Sequence, residues 1–431
     1  MLPSCVFITA IYMRNIPKIL SLCLLWAGGA MPASAVCRDS VQRIGFSADI
    51  HTGRVISMDM YQRMYQQKKQ SFSIAAQLNF HSLPTDSDAF AEDYDYPVIS
   101  LGLRYSINNV TMHRGPDFPL GQAKTADYDS RLGNIVSLYA AFNRTFLRRH
   151  RWSADYTLAA GMSYAHKKYD PYNNVDNELI GSRFLIYFGA GIHAHYRLCA
   201  RWGLRAGIDY YHHSNGALNR PNKGANIWGP TVGIEYFPTA EYGERFAKHA
   251  SQKPFIPHWY AAVALGIGGK VLNEDWLKTQ YGTPPDSADY RTDRFHFYKA
   301  YSIQVDIMRR YARRWASGMG IDLFYSSYAA RVEALDKADG YRTKHSPWSV
   351  GIAAKHQVYY HNWSMAMALG WYLYRHMGQN AEIIEKPYYE RIGIHYAIPA
   401  LRGLTIGANV KAHLTKADFT EVVIVYPFRF E

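Results

Sequence analysis

Hydrophobic and polar residues alternate along many segments of this chain. Residues 155–164 carry larger side chains at the even positions and small or polar ones at the odd positions, and residues 363–373 repeat the pattern with larger apolar side chains at the odd positions. Successive side chains of a β-strand point to opposite faces, so a period of two predicts strands with one apolar face. The chain is therefore predicted to be all-β.

The apolar faces of these strands are expected to meet lipid. After residue 36 no run of about 18 apolar residues is present, so a spanning chain would have to be a closed β-barrel. Aromatic residues make up 15% of the 431 residues, with 35 Tyr. Tryptophans fall near predicted strand ends, where they would form interfacial girdles: Trp152, Trp202, Trp228, Trp259, Trp315, Trp348 and Trp363. A soluble β-sandwich or lipocalin-like barrel also alternates, but its core does not need aromatic strand ends so regularly. The pattern favours a transmembrane antiparallel outer-membrane β-barrel.

The lengths of the connections predict the orientation of the barrel. From about residue 134, short turns near 148–151, 198–200, 312–314, 361–362 and 399–402 alternate with longer connections near 166–182, 214–225, 270–293, 329–347 and 377–386. Outer-membrane barrels have short periplasmic turns and longer outer loops. The long segment 239–256 is an exception on the periplasmic side, where its composition would suit a short surface helix.

The strand count is about 16, in a range of 12–16. A single barrel is preferred, because no second signal or Gly/Ser-rich linker divides the chain. Two eight-stranded barrels separated at 239–256 are the alternative. The apolar and aromatic segment 422–431 is typical of a strand that closes such a barrel.

The first 35 residues read as an export signal. A basic start at 13–18 precedes the apolar run 19–27, and Ala33-Ser34-Ala35 fits a cleavage site. Met13 is an alternative start of this signal. Residues 36–431 are then expected to form the exported barrel.

Candidate chemistry concentrates in residues 210–226. By strand parity, His212 and Ser214 share the apolar face of one strand, and Asn226 lies on the same face of the next strand. The carboxylates of Asp209 and Glu235 fall on the opposite face. This arrangement brings a base, a nucleophile and an orienting amide to one end of a hairpin.

These residues resemble a known family. His212-His213-Ser214-Asn215, then Pro221-Asn222-Lys223-Gly224 and Gly233-Ile234-Glu235-Tyr236, are similar to the lipid A 3-O-deacylases (PagL-like) and acyloxyacyl hydrolases, which are outer-membrane barrels. The close match covers about 204–237. The deacylase-like part would be about 41–238, and residues of about 257–431 would add further strands.

The resemblance implies a role for each residue of the hairpin. His212 would be the base and Ser214 the nucleophile. The side chain of Asn222 and a backbone N–H in the Gly216–Ala217 region would form the oxyanion hole. The third catalytic position, acidic in the family, is Asn226 here, as in the Ser-His-Asn sites of outer-membrane phospholipases A.

The predicted function is hydrolysis of a lipid A acyl ester of lipopolysaccharide at the outer leaflet. An outer-membrane phospholipase and a non-catalytic, porin-like or structural barrel are the alternatives. The departure at Asn226 favours these alternatives, because an amide orients the imidazole without offsetting its positive charge.

The net charge of +13 does not point to nucleic acid in an exported barrel. Arg220 and Lys223 lie beside the predicted site, where they could pair with lipid A phosphates or remain solvated loop charges. No metal or other cofactor is predicted, because His193 and His195 share a strand face without an evident third ligand. Lipopolysaccharide and outer-membrane lipids are the expected partners.

Four cysteines are present, and two of them, Cys5 and Cys23, would leave with the signal. Cys37 and Cys199 would remain, and a disulfide between them is compatible with the oxidising envelope but not implied by their spacing.

Overall fold

The computed structural model describes residues 43–84, 87–116, 118, 126–238, 254–414 and 416–430. The predicted export signal and Cys37 lie outside these residues, as do residues 239–253 of the segment 239–256, in which a short surface helix is predicted. Cys199 is exposed in the turn after a strand, and a disulfide between it and Cys37 stays untested.

The first half of the described chain forms a closed antiparallel barrel of eight strands. Strand pairing runs in sequence order, and the barrel closes where the first strand pairs with the last. A two-residue strand, β4 (Ser130–Arg131), pairs antiparallel with the last two residues of β3. The eight barrel strands are β1 (Ile44–Ile56), β2 (Gln66–His81), β3 (Val98–Met112), β5 (Ile135–Arg148), β6 (Trp152–Ala165), β7 (Phe184–Arg197), β8 (Trp202–Ser214) and β9 (Ala225–Tyr236).

The second half forms a separate closed barrel, also of eight strands. Its first and last strands pair from Tyr260↔Arg429 to Gly269↔Thr420, which closes it on itself. The strands are β10 (His258–Val271), β11 (Phe297–Ala312), β12 (Trp315–Ser326), β13 (His345–Tyr360), β14 (Trp363–Met377), β15 (Tyr388–Ile398), β16 (Leu404–His413) and β17 (Lys416–Arg429).

The preferred single barrel of about 16 strands is therefore wrong, and the alternative of two eight-stranded barrels is correct. Each set of eight strands closes through its own edge pairing, β1 with β9 and β10 with β17. Alternation fixes which face of each strand is apolar, but it does not record which edge strands meet. The prediction of an all-β antiparallel membrane barrel holds for both halves.

Both barrels are polar inside and apolar outside. In the first interior, Arg205 pairs with Asp49 at 3.2 Å, and in the second Lys355 pairs with Asp322 at 2.8 Å. The outward positions carry exposed aliphatic side chains such as Leu138 and Ile321. Five tryptophans stand at the first or second position of a strand, all at the same strand end: Trp152, Trp202, Trp259, Trp315 and Trp363. This distribution is that of a membrane barrel with an aromatic girdle.

Long connections gather at one end of each barrel, which we name the long-loop end. They are residues 57–65, 113–134, 166–183 and 215–224 in the first barrel and 272–296, 327–344 and 378–387 in the second. The opposite end has the short turns 149–151, 198–201, 313–314, 361–362 and 399–403, together with the longer segment 82–97. From residue 134 onward, the alternation of short and long connections agrees with the prediction.

Short helices lie within these connections: α1 (Met60–Tyr65), α2 (Ala89–Asp93), α3 (Asn273–Leu277), α4 (Ala329–Ala338) and α5 (Gln379–Ile384). A π-helical turn, Lys278–Gly282, follows α3, and a 3₁₀ turn, Pro399–Leu401, follows β15. Among the described residues, no helix has both the length and the apolar character needed to cross a membrane.

The two barrels contact each other at both ends. At the long-loop end, Lys168 of the first barrel pairs with Asp293 of the second at 2.9 Å. At the other end, the hydroxyl of Tyr94 donates a hydrogen bond of 2.9 Å to the carbonyl of Tyr359. Tyr94 also packs edge-on against Tyr360. These contacts join the barrels side by side with their long-loop ends together.

Candidate active site

The predicted site lies at the long-loop end of the first barrel, on its outward face. Along β8 the odd positions face the interior and the even positions face outward, as the alternating burial of this strand shows. Ile208, four residues before His212 on the same face, is 56% exposed, whereas His212 and Ser214 are half-buried. An imidazole and a hydroxyl thus interrupt an otherwise apolar outer surface.

Asn226 lies directly opposite His212 in the β8–β9 register. The Nδ1 of His212 is 2.7 Å from the Oδ1 of Asn226. An amide oxygen only accepts hydrogen bonds, so Nδ1 carries the proton and Nε2 is left with its lone pair. This tautomer is the one that can accept a proton from a hydroxyl.

Tyr210 completes this hydrogen-bonded group. Its hydroxyl donates to the same Oδ1 of Asn226, at 2.7 Å. The oxygen therefore receives two donors from one strand, which fixes the direction of the amide. Tyr210 was not among the predicted site residues, although its position two residues before His212 on the same strand face is a signal that could have identified it.

Ser214 is the last residue of β8 and shares the outward face with His212. Among the hydrogen bonds of the described residues, none joins the Ser214 hydroxyl to the His212 imidazole. Catalytic hydrogen bonds are often long before substrate binds. The structure therefore brings His212 and Asn226 into direct contact and places Ser214 beside them.

The predicted oxyanion residues lie in the loop that follows Ser214. Asn222 Oδ1 accepts a hydrogen bond of 2.9 Å from the N–H of Asn215, so its NH₂ group is the part that can donate to a ligand. Gly216 and Ala217 both have positive φ, 61° and 70°. For Ala217 this left-handed conformation is strained, and the residue is fully buried.

Gly224 covers the other side of the imidazole. A Cβ on this residue would lie 2.6 Å from the Cε1 of His212, and its φ of 75° also favours glycine. The backbone therefore packs directly against the ring, which restricts its rotation.

Arg220 and Lys223, which were predicted to contact lipid A phosphates, both bind groups of the protein itself. Arg220 Nε donates to the carbonyl of Val271 at 3.0 Å, and burial lowers the pKa of Arg220. Lys223 pairs with Glu178 at 2.9 Å and with Asp59 at 3.4 Å. The Lys223 side chain keeps 21% of its surface exposed, and its contact with phosphate stays a prediction.

A charge cluster, defined here as Arg114, Asp176, Glu178, Lys223 and Arg291, connects four loops, three of the first barrel and one of the second. Arg114 contacts Asp176 at 2.5 Å and Glu178 at 3.0 Å, and all three are buried. Burial raises the pKa of Glu178, but the charges of Lys223, Arg114 and Arg291 outweigh this effect and bring the pKa down to about 2. Glu178 is thus held as a carboxylate, and the site loop is tied through Lys223 to the loop 166–183.

The interior histidines and carboxylates are directed away from the site. His193 Nε2 contacts Asp209 at 2.8 Å, and His195 contacts Glu235 at 2.9 Å and Asp155 at 2.8 Å. Asp209 and Glu235 therefore face the interior, as strand parity predicted. Neither carboxylate can replace an acidic residue at position 226.

Glu385, His413 and Asp418 in the second barrel bring potential metal-ligand atoms within 4.8 Å of one another. Lys270 and Lys411 contact Asp418 at 2.5 and 2.6 Å, and Lys270 also contacts Glu385 at 3.2 Å. The carboxylates are already paired with lysine ammonium groups, so these three residues are not suited to bind a metal cation.

Two family models match the chain. The model described as lipid A 3-O-deacylase (PagL) matches residues 98–235, and the model described as acyloxyacyl hydrolase, C-terminal domain, matches residues 257–430. The first segment contains His212, Ser214 and Asn226, and the second covers the strands of the second barrel. No individually curated protein matches the chain significantly.

Among the solved structures that match the chain are OccK9 (OpdG) of Pseudomonas aeruginosa and OccAB3 of Acinetobacter baumannii. The first is 9% identical over 90% of this chain and 98% of its own, with a TM-score of 0.20. The second is 9% identical over 90% of this chain and 99% of its own, with a TM-score of 0.21. At such scores neither likeness bears on function. The matched family segments together span most of both barrels, and the chain belongs to the family of outer-membrane lipid A 3-O-deacylases (PagL) and acyloxyacyl hydrolases.

Proposed function

We propose that this protein is an outer-membrane lipid-ester hydrolase that removes a fatty acyl chain from lipid A. The observation that carries the proposal is the His212–Asn226 hydrogen bond of 2.7 Å on the outward face, beside Ser214. The family supplies the substrate class, and the long-loop end would face the cell exterior, where lipid A is found. The ester bonds of lipid A lie at the junction of headgroup and hydrocarbon, which is the depth of a strand end.

The reaction follows from the tautomer of His212. Nε2 takes the proton of the Ser214 hydroxyl while Oγ attacks the ester carbonyl. The NH₂ of Asn222 and a backbone N–H of the loop stabilise the oxyanion. Collapse of the tetrahedral intermediate breaks the ester C–O bond, and the proton on Nε2 passes to the departing alkoxide oxygen, which leaves as a hydroxyl of the sugar.

Deacylation repeats these steps with water. Nε2 removes a proton from water, the hydroxide attacks the acyl-serine, and the proton returns to Ser214 Oγ. A free fatty acid is the second product. Asn226 orients the imidazole throughout, but its neutral amide does not offset the imidazolium charge, so turnover is expected to be slower than with a carboxylate.

Phospholipid is the alternative substrate class. The observation in its favour is the amide of Asn226, because with it the three residues resemble the Ser-His-Asn sites of outer-membrane phospholipases. A porin-like function is less well supported, because the interiors of barrels of eight strands are filled by side chains. Each described barrel contains ion pairs across its interior.

Purified, detergent-refolded protein should be mixed with lipopolysaccharide and, separately, with phospholipid vesicles. Mass spectrometry of lipid A should show the loss of one hydroxyacyl chain with wild type and no change with Ser214→Ala. Fatty acid released from phospholipid alone would identify a phospholipase. No release from either lipid would refute the hydrolase proposal.

A further inference from the structure

The second barrel holds the loop that carries the predicted oxyanion residues. Thr420 Oγ1, on the outward face of β17, donates a hydrogen bond of 2.7 Å to the carbonyl of Gly216. The N–H of Val271, the last residue of β10, donates to the carbonyl of Ala217 at 2.9 Å. Two consecutive carbonyls after Ser214 are therefore directed toward the other barrel.

The first of these bonds fixes the direction of the Ala217 N–H. The peptide unit is planar and trans, so the carbonyl of Gly216 and the N–H of Ala217 point in opposite directions. Because the carbonyl points to Thr420, the N–H points away from the second barrel. The N–H of Ala217 makes no hydrogen bond with any described residue, and it is therefore the candidate backbone donor for the proposed oxyanion hole.

The conformation of the loop needs this support. Ala217 has a φ of 70°, a left-handed conformation that is strained for a residue with a side chain. A Cβ on Gly216 would clash with Thr420 Oγ1 and approach Ile186 Cδ1 to 3.0 Å. The second barrel therefore reaches the backbone of the loop directly, and glycine is required for that approach.

We infer that Thr420 is a positioning residue for ester hydrolysis, acting across the barrel contact on the Gly216–Ala217 peptide and so on the oxyanion hole. This inference rests on the proposed function. It assigns a catalytic purpose to the second barrel, whose own outward face at the corresponding end of β16 carries Val410 and Ala412. The first barrel supplies the reacting groups, and the second sets the direction of one oxyanion donor.

The test compares Thr420→Val with Thr420→Ser. Valine keeps the branched shape and removes the hydroxyl, whereas serine keeps the donor. With lipopolysaccharide as substrate, Thr420→Val should lower kcat about tenfold and leave KM unchanged, because a misdirected oxyanion donor is felt in the transition state. Thr420→Ser should restore most of the rate.

Thr405→Val is the matched control. Thr405 Oγ1 donates to the carbonyl of Gly403 at 2.9 Å, in the same barrel but at the opposite end. This variant should keep the wild-type kcat, and all three variants should unfold at similar temperatures.

A wild-type kcat in Thr420→Val, or a Thr420→Ser variant as slow as Thr420→Val, would overturn the inference while leaving the hydrolase function intact. A wild-type protein inactive on both lipopolysaccharide and phospholipid would overturn the proposed function and the inference together.

Discussion

Each barrel contains a histidine that is hydrogen-bonded to an asparagine of the neighbouring strand, and the two pairs occupy opposite faces. In the first barrel, His212 Nδ1 and Asn226 Oδ1 are 2.7 Å apart on the outward face. In the second, His395 Nε2 and Asn409 Oδ1 are also 2.7 Å apart, but both residues are buried inside the barrel. Asn409 also donates to Glu421 at 3.0 Å.

The difference shows that the pair alone does not make a site. The interior pair is part of a polar network that fills the second barrel, and no substrate can reach it. The outward pair lies on the apolar outer face of the barrel, next to Ser214 on the same strand face. A shift of one residue along a strand moves a side chain to the opposite face. That difference decides whether the same hydrogen bond is structural or a candidate catalytic one.

The largest effect is expected for the outward histidine. His212→Gln should lower the rate of lipid A deacylation at least about 10³-fold, because it removes the general base. The unfolding temperature should stay near that of wild type. His395→Gln should keep the activity and lower the unfolding temperature, so equal activity losses in both variants would refute the distinction between the pairs.

The asparagines should differ in the same way. Asn226→Leu should lower the rate about 10²-fold, because the imidazole loses the acceptor that fixes its tautomer. Asn226→Asp should retain or raise activity, since a carboxylate accepts the same bond and stabilises the imidazolium. Asn409→Leu is the matched interior variant and should affect stability alone. Complete loss in Asn226→Asp would show that the site uses the amide in another way.

A smaller effect is expected for Tyr210→Phe. Without the hydroxyl, the amide oxygen of Asn226 keeps only the bond from His212, and its direction is less restricted. The rate should fall roughly three- to tenfold, as expected for a loosened rather than a missing catalytic group. Tyr301→Phe, on the outward face of the second barrel, is the control and should match wild type in the lipid A assay.

The smallest effect is expected when acid protonates Glu178 in the charge cluster. The pKa of Glu178 is about 2 in the folded protein and ordinarily 4.5, so its stabilising contribution is complete above about pH 4.5. That contribution falls as the pH drops toward 2. Cleavage of the loop 166–183 by pepsin should rise between pH 5 and pH 3 while the barrels stay intact. In Glu178→Gln, pepsin should already cleave the loop at pH 5. If cleavage of this variant depended on pH as in wild type, Glu178 would not be the group that stabilises the loop.

Much of the candidate site was predictable because it is local. His212, Ser214 and Asn226 lie within 15 residues, and a period of two is enough to place them on one face. The same reasoning put Asp209 and Glu235 inside the barrel, where they pair with His193 and His195. Tyr210 could have been found by the same rule.

Contacts between distant segments were not predictable. Thr420 lies 204 residues from the carbonyl it contacts, and no local pattern records that proximity. The engagement of Lys223 by Glu178 and Asp59 has the same origin, because it depends on how the loops pack over the barrel.

From the sequence alone it follows that the chain is all-β, that its strands are apolar on one side, and that a histidine, a serine and an asparagine share one face at one strand end. These properties depend on the alternation of side chains along single strands and one hairpin. Two properties are visible only in the folded molecule: the strands close into two barrels, and the second barrel contacts the loop of the first. Closure and docking depend on pairings between edges far apart in the chain, whose free energy comes from many weak contacts rather than from any local motif.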